Sequence, residues 1–215
     1  MRLICGLDEA GRGPLAGPVT AAAVFLSDDF PLEILNDSKK LSEKKRTAAE
    51  AVIKEKALVW ALSSVGEKEI DRINILQASL LAMKQAFEQA FEKLYVKLCA
   101  DSGTGEPACD FSILCIADGN AKPDIGSTKN ITGANMYGAH IDIVCEARIK
   151  ADAEIPAVMA ASILAKTERD RIMCAYAKLY PAYGYEKHKG YPTALHRKIC
   201  REIGPSPIQR MSFSY

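Results

Sequence analysis

Short apolar segments bounded by glycine or polar residues recur along the chain at the spacing of strands. Segments of this kind, rich in small and β-branched residues, are typical of buried strands. They fall at residues 3–7, 18–26, 57–65, 111–117 and within 141–150. The first two lie close enough in sequence to form a hairpin. Composition predicts loops at residues 100–110 and 122–138.

Helical periodicity occupies much of the remaining chain. The clearest amphipathic stripe has apolar residues three and four apart, which predicts a helix that faces a core. It comprises Leu76, Leu80, Met83, Phe87, Phe91 and Leu94. Further helices are predicted at residues 43–56, with Ser42 as the N-cap, at 156–178 and at 194–203. Three closely connected strands, followed by strands that alternate with helices, predict an α/β fold with a mixed central β-sheet flanked by helices.

The charges are almost balanced, with 28 Lys+Arg against 27 Asp+Glu and a formal net charge of +1. A protein that binds a nucleic-acid backbone usually has a basic surface. The balance fits such a partner only if acidic residues gather in a site and basic residues surround it. The seven cysteines form no C-x-x-C pair, which predicts reduced thiols. Since no apolar run approaches the ~20 residues of a membrane span, we expect a cytoplasmic protein with no membrane partner.

Carboxylates follow three of the predicted strands, as Asp8 with Glu9, Asp118, and Asp152. Side chains at strand ends of an α/β sheet converge on one site, and clustered carboxylates repel one another unless a cation lies between them. Hard oxygen ligands favour Mg²⁺ or Mn²⁺. Since neighbouring strand residues point to opposite faces, Asp8 and Glu9 can share a site only if the chain bends at Glu9. Each acid taken alone is also compatible with a turn or a surface charge.

The segment Gly11-Arg12-Gly13-Pro14-Leu15-Ala16-Gly17 begins two residues after Glu9. Its spacing, G-x-G-x-x-x-G with a proline inside, does not match the G-x-G-x-x-G of a dinucleotide fold. The neighbouring carboxylates would also repel a pyrophosphate. Glycine has no Cβ and lets the backbone approach a ligand closely; a tight turn between two strands is the alternative.

Basic residues cluster in several places and alternate with tyrosines. Such a pattern indicates a surface that follows phosphates and presents rings to sugars or bases, although a single charged cluster is more commonly a solvated face. The clusters are Lys39-Lys40, Lys44-Lys45-Arg46, Lys166 with Arg169 and Arg171, Lys187-His188-Lys189 and His196-Arg197-Lys198, and the tyrosines are Tyr180, Tyr183, Tyr185 and Tyr191. We expect His188 and His196 to be surface groups rather than zinc ligands.

Several motifs together resemble ribonuclease HII, in that family's order and over nearly the whole chain. The most specific is Gly-Leu-Asp-Glu-Ala-Gly-Arg-Gly-Pro-Leu-Ala-Gly-Pro-Val at residues 6–19. The others are Asp-Ser-Lys-Lys-Leu-Ser at 37–42, Asn-Ile-Leu-Gln-Ala at 74–78, Asp-Gly-Asn at 118–120, Ala-Ala-Ser-Ile-Leu-Ala-Lys at 160–166, Lys-His-Lys-Gly-Tyr at 187–191 and Gly-Pro-Ser-Pro-Ile at 204–208. Arg12 favours this group over the related HIII group, which typically has lysine there.

The resemblance implies an RNase H-like fold, with a catalytic domain at residues 1–180 and a small C-terminal helical extension at 181–215 packed on it. It implies an endoribonuclease that hydrolyses the RNA strand of RNA–DNA hybrids and incises 5′ of a single ribonucleotide embedded in duplex DNA. Catalysis by two metal ions, Mn²⁺ or Mg²⁺, would leave 3′-hydroxyl and 5′-phosphate ends. We expect a monomer whose partner is nucleic acid.

The resemblance also implies roles for individual residues. The catalytic, metal-binding carboxylates would be Asp8, Glu9, Asp118 and Asp152. The ribose 2′-hydroxyl, the group that distinguishes RNA from DNA, would be contacted by the backbone of Gly11, Arg12 and Gly13, and the RNA–DNA junction by Tyr191. Phosphates would be contacted by Ser38, Lys39, Lys40 and Lys166.

The chain departs from the family pattern in two places. The stretch between Asp118 and Asp152 is longer than in compact bacterial members, so Asp124 and Asp142 are alternatives for the fourth carboxylate. Gln209 stands where the family commonly has histidine. Two other functions compete with the nuclease. A non-catalytic nucleic-acid-binding module would lack at least one of the acids, and a resolvase, transposase or sugar kinase of the same broad fold would lack the Gly-Arg-Gly segment.

Overall fold

The computed structural model describes residues 2–36, 38, 41–102, 110–125 and 141–214. Five strands form one sheet in the order β3-β2-β1-β4-β5. They are β1 (Arg2–Ala10), β2 (Val19–Phe25), β3 (Val59–Val65), β4 (Phe111–Asp118) and β5 (Ile141–Arg148). The first three strands pair antiparallel, whereas β1 with β4 and β4 with β5 are parallel. The predicted mixed sheet and the β1–β2 hairpin are confirmed.

Six α-helices accompany this sheet in the described residues. They are α1 (Glu43–Lys56), α2 (Glu67–Ile73), α3 (Ile75–Ser102), α4 (Pro156–Leu179), α5 (Tyr185–His188) and α6 (Ala194–Ile203). The predicted bounds of α1 and α6 are confirmed. Each of these helices begins after a residue whose hydroxyl caps its N-terminus. Ser42 Oγ accepts from the Lys45 amide at 3.3 Å, and Thr193 Oγ1 accepts from the His196 amide at 3.2 Å.

Two predictions about the middle of the chain need correction. The short helix α2 was not predicted, and α3 continues through Ser102 into a stretch that was assigned to a loop. Leu98 packs against the core near this end of α3, so tertiary contacts extend the helix beyond its regular stripe. The rest of that predicted loop, residues 103–109, and most of the predicted loop at 122–138 lie outside the described residues.

The main core lies between α3 and one face of the sheet. Met83, Phe87, Phe91 and Leu94 of the predicted stripe are buried there with the inward residues of β1, β2 and β4. The Phe87 ring is 6.5 Å from the ring of Phe25 on β2. Core packing is therefore the role of the stripe.

Helix α4 covers the opposite face of the sheet, where it packs on β1 and β2. Its N-terminal end approaches β1 so closely that a Cβ on Gly6 would collide with the backbone of Ala157. Glycine at this position therefore allows direct contact between helix and strand. This contact holds α4 beside the end of β1, where the first predicted carboxylates lie.

The segment after α4 folds back onto the loop between β1 and β2. It contains the 3-10 turn Pro181–Tyr183, α5, α6 and a final stretch in which Gln209 forms a β-bridge with Ala16. The division of the chain at residue 180 stays a prediction. None of the helices in the described ranges has the length and apolarity that crossing a bilayer requires. Six cysteines are free thiols, as predicted, and the seventh, Cys109, lies outside those ranges.

Candidate active site

Three of the predicted carboxylates meet at the carboxyl edge of the parallel strands. Asp8, Asp118 and Asp152 each offer an oxygen within 4.8 Å of the others. Strand β1 pairs with β4 in a register that sets Leu7 opposite Ala117, so the next residues, Asp8 and Asp118, come side by side. Parallel pairing thus accounts for two of the three positions.

Asp152 reaches the cluster by a different route from the predicted one. Strand β5 ends at Arg148, and Asp152 lies beyond it in the 3-10 turn Ala151–Ala153. The turn follows Lys150, which has a left-handed φ of 62°. Its reversal brings the Asp152 amide to 3.4 Å from Asp118 Oδ1, to which it donates. A strand-end position for Asp152 is therefore wrong.

The two alternative acids lie elsewhere. Asp142 is exposed at the beginning of β5, opposite Ser112, whereas the cluster forms at the other end of the strands. Asp124 is also exposed, in the segment after β4. Within the described ranges neither belongs to the group of three.

Burial and mutual repulsion make this cluster a poor place for uncompensated negative charge. The pKa of Asp8 is raised well above its usual value, mainly because the carboxyl is buried and then because Glu9 and Asp118 repel its charge. Hydrogen bonds from Ser162 and from the Glu9 amide at 2.7 Å act in the opposite direction. A buried set of carboxylate oxygens in this state matches the ligands that a divalent cation prefers.

Glu9 lines the same cleft without the bend that the sequence led us to expect. Strand β1 keeps regular pairing through Ala10, and the chain turns only at Gly11, which has φ 106°. Because β1 ends there, side chains from both of its faces border the cleft. Glu9 Oε1 is 3.4 Å from Arg12 Nη1. Burial raises the pKa of Glu9 although Arg12 opposes the shift.

The carboxylates open into a cleft of about 250 Å³. It is lined by Asp8, Glu9, Ala10, Gly11, Arg12, Gly13, Ser38, Asp118, Ser162, Lys166 and Tyr191. The structure therefore brings most of the predicted site residues together, with Asp152 held at the cluster by Asp118. Lys39 and Lys40 lie outside the described residues.

Tyr191 faces the Gly-Arg-Gly segment across this cleft. Its side chain is 40% exposed, and a Cβ on Gly13 would lie 3.7 Å from its ring. Lys166 Nζ and Arg169 Cζ each lie 5.8 Å from the ring centroid. Cationic groups therefore surround the aromatic ring at the wall opposite the loop.

Several residues that were predicted at the surface are buried instead. Arg169 and Tyr185 have no exposed surface, and His188 and His196 stack at 4.4 Å between ring centroids. Both histidines bond to the main chain: His188 Nε2 is 2.9 Å from the Tyr183 carbonyl, and His196 Nδ1 is 3.0 Å from the carbonyl of Tyr191. A surface position for these histidines is wrong, because the polar tail folds into a small core of its own.

Sequence reasoning missed the role of Ser162. This buried serine of α4 bonds to Asp8 and lies 2.9 Å from the Ser38 hydroxyl. The signal was available, since Ser162 is a polar residue inside the small, apolar run Ala-Ala-Ser-Ile-Leu-Ala. Ser38 is itself mostly buried but, like Ser162, lines the cleft, so the two hydroxyls lie together at its wall.

Solved structures show which fold this chain adopts. Ribonuclease HII from Archaeoglobus fulgidus, solved in a complex with PCNA, superposes with a TM-score of 0.64 at 23% identity over 99% of this chain and 96% of that one. Bst-RNase HIII, solved with Mn²⁺, superposes with a TM-score of 0.56 at 19% identity over 99% of this chain and 67% of that one. The architecture is thus the RNase H-like fold.

Sequence comparison then gives the family. The family model for ribonuclease HII matches residues 5–102 and 116–215. Ribonuclease HII of Treponema denticola is 49% identical over 215 residues, which cover 98% of each chain. The chain belongs to the ribonuclease HII family. It is a divalent-metal-dependent ribonuclease H, a hydrolase that acts on nucleic acid.

Proposed function

We propose that this ribonuclease H cuts the RNA strand of RNA–DNA hybrids and also incises 5′ of a single ribonucleotide embedded in duplex DNA. The observation that carries this proposal is the position of the buried carboxylate cluster at the base of a cleft whose wall is the Gly11–Gly13 backbone. A nuclease that must detect one ribose needs its metal site and a 2′-hydroxyl contact side by side. The cleft supports both.

Asp8, Asp118 and Asp152, together with Glu9, are the residues proposed to hold the metal. Two divalent ions would supply activation of water on one side of the phosphate and stabilisation of the leaving oxygen on the other. Mn²⁺ and Mg²⁺ both suit a set of carboxylate oxygens, and the fold neighbour Bst-RNase HIII binds Mn²⁺. The products would carry 3′-hydroxyl and 5′-phosphate ends.

The wall of the cleft is proposed to select the ribose. The backbone of Gly11, Arg12 and Gly13 would contact the 2′-hydroxyl, which DNA lacks. The partly exposed ring of Tyr191, opposite Gly13, would pack at the junction between ribonucleotide and deoxyribonucleotide. Phosphates on either side would be contacted by Ser38, Lys39, Lys40 and Lys166.

The test uses a DNA duplex that contains one ribonucleotide, a matched all-DNA duplex and an RNA–DNA hybrid. With Mn²⁺ or Mg²⁺ present, we expect a single cut 5′ of the ribonucleotide, multiple cuts in the hybrid and none in DNA. Mapping of the product ends by gel mobility and ligation would identify the 3′-hydroxyl. Cutting of the hybrid with no cut at the single ribonucleotide would refute the finer proposal and leave ribonuclease H activity intact.

A further inference from the structure

Two arginines are fully buried beside the substrate cleft, and neither is among the cleft-lining residues. Arg169 lies on α4 and Arg210 lies in the stretch after α6, and neither has exposed surface. Burial lowers the pKa of Arg169 to about 10 and that of Arg210 to about 9, so both are cationic at neutral pH. Burial of a guanidinium is costly unless its donors are used, and here they bond to main-chain carbonyls.

Arg210 bonds to four carbonyl oxygens of the loop between β1 and β2. Its Nη2 is 2.7 Å from the Gly11 oxygen, and its Nη1 is 3.2 Å from that of Arg12. The same Nη1 is 2.8 Å from the Pro14 oxygen, and Nε is 2.9 Å from that of Gly17. One side chain therefore fixes peptide planes along the whole loop between β1 and β2.

These bonds determine where the loop's amide groups point. In a trans peptide the C=O and N–H bonds point in opposite directions within one plane. The Gly11 carbonyl shares its plane with the Arg12 amide, and the Arg12 carbonyl shares its plane with the Gly13 amide. Because Arg210 binds both carbonyls, it turns both N–H groups away from itself. The cleft borders the loop at these residues.

Arg169 connects the same loop to the segment that carries Tyr191. Its Nε and Nη2 donate to the carbonyls of Pro18 at 3.0 Å and Ala16 at 3.2 Å, and its Nη1 donates to the carbonyl of Lys189 at 3.0 Å. The Leu15 amide adds a direct bond of 2.8 Å to the Gly190 carbonyl. The guanidinium of Arg169 thus connects the loop between β1 and β2 to the segment that carries Tyr191, which form two walls of the cleft.

The glycines of the loop fit this arrangement. Gly11 and Gly17 have φ of 106° and 80°, and a Cβ at either position would collide, with Arg169 in one case and with Met173 in the other. Gly190 has φ 83°, and a Cβ there would lie 2.6 Å from the Ala16 oxygen. These glycines let the chain pack tightly around the guanidinium groups and the neighbouring helix.

We propose that Arg210 and Arg169 are positioning residues for ribose recognition: Arg210 aims the Arg12 and Gly13 amides at the 2′-hydroxyl, and Arg169 sets the distance between that loop and Tyr191. The inference rests on the proposed function, since it assigns a cause to the selectivity proposed there. It requires arginine at both positions, because lysine supplies a point charge and not a planar fork of donors.

The first test compares Arg210→Lys with wild type in two affinities, for the single-ribonucleotide duplex and for the all-DNA duplex, measured in Ca²⁺. We expect the preference for the ribonucleotide duplex to fall by about tenfold, the scale of one or two lost hydrogen bonds. Affinity for the all-DNA duplex and for Mn²⁺ alone should stay unchanged, because phosphate contacts and carboxylates are not altered. A merely structural residue would not change the ratio of the two affinities.

Two control variants separate positioning from stability. Phe87→Leu lowers stability in the core on the other face of the sheet, and Arg72→Lys alters an exposed arginine that is paired with Glu69. Both should keep the wild-type ratio. If Arg210→Lys is unfolded at the assay temperature by circular dichroism, Arg210→Gln, which keeps a planar pair of N–H donors, replaces it in the same comparison.

The second test is a double-mutant cycle on cleavage at the single ribonucleotide. Tyr191→Phe should reduce kcat/KM in wild type and reduce it much less in Arg169→Lys, because the ring is already displaced there. Additive effects in the cycle, or a folded Arg210→Lys with the wild-type affinity ratio, would overturn the inference. Wild-type protein that shows no preference for the ribonucleotide duplex would instead refute the proposed function.

Discussion

The two halves of the cleft are built from contacts of very different range. Asp8 and Asp118 sit at neighbouring strand ends, so the pairing of β1 with β4 is enough to bring them together. The loop between β1 and β2 is held by residues distant in sequence, since Gly11 and Arg210 are 199 positions apart and Ala16 and Arg169 are 153 positions apart. Sheet topology can thus bring two carboxylates of the cluster together directly, whereas a loop that must present its backbone needs side chains from other elements.

The largest expected effect comes from the carboxylate half. Asp8→Asn should reduce cleavage of an RNA–DNA hybrid by more than about a hundredfold. Even the loss of a side chain that only hydrogen-bonds to a metal ligand lowers activity by about 10–100-fold, and Asp8 is proposed to be a ligand itself. Duplex binding should remain nearly unchanged, because the loop half is untouched. The measurement is single-turnover cleavage with a parallel binding titration. Asp142→Asn, at the far end of the same sheet, is the control that should keep full activity.

Ser162→Ala tests whether α4 supports the cluster as well as covering the sheet. Loss of the hydroxyl that bonds to Asp8 should weaken Mn²⁺ affinity by roughly 10–100-fold. Isothermal titration of the protein with Mn²⁺ would measure the change. Ser79→Ala is a matched control, because Ser79 is also buried and its hydroxyl donates to the Ile75 carbonyl of its own helix, α3. Equal losses in the two variants would count against support by Ser162.

In the absence of metal, Asp8→Asn should make the protein more stable. The pKa of Asp8 is raised in the folded state, so folding favours its protonated form and stability is lost as the pH rises through that pKa. A neutral amide avoids this loss at pH 7. We expect a higher Tm without metal, by about 2–4 °C for each kcal/mol recovered, and a smaller rise on addition of Mn²⁺ than in wild type. A lower Tm in metal-free buffer would contradict the repulsion argument.

The smallest expected effect is on the pH dependence of stability, through His188 and His196. Burial lowers the pKa of His188 and of His196 below the ordinary 6.5. The unfolded chain therefore binds protons more tightly at these histidines than the folded chain does. Stability decreases as the pH falls through 6.5. Thermal melting at pH 7.5 and at 5.5 should show this loss, and His188→Asn should reduce the difference between the two. An unchanged difference would show that other groups cause it.

The sequence predicts the fold well where local signals decide it. Short apolar segments identify the five strands of the described residues, and the hydroxyl cap at Ser42 defines where α1 begins. Asp8 and Asp118 could be paired in advance because strand ends converge. The way Asp152 reaches the cluster could not be predicted, because a left-handed residue and a 3-10 turn, not a strand end, place it.

Burial in the C-terminal segment could not be read from the sequence. His188, His196 and Arg169 lie among charged and polar neighbours, and such stretches are usually solvated. They are buried because Tyr185 and the loop between β1 and β2 pack on them, and the sequence pattern carries no signal for such long-range contacts. The burial of Arg210 could not be predicted for the same reason, because its partners are main-chain carbonyl groups, which leave no pattern in the sequence.

The long span between Gly11 and Arg210 also sets an order of events during synthesis. A chain emerging from the ribosome would complete Asp8, Asp118 and Asp152 well before residue 210 is added. Until then the Gly11–Gly13 backbone, which we propose contacts the ribose, would lack the Arg210 guanidinium that binds its carbonyl groups. In a nascent polypeptide the carboxylates proposed to bind Mn²⁺ would therefore be complete before the proposed ribose contact is held in place, and selectivity would arrive only after residue 210 had been added.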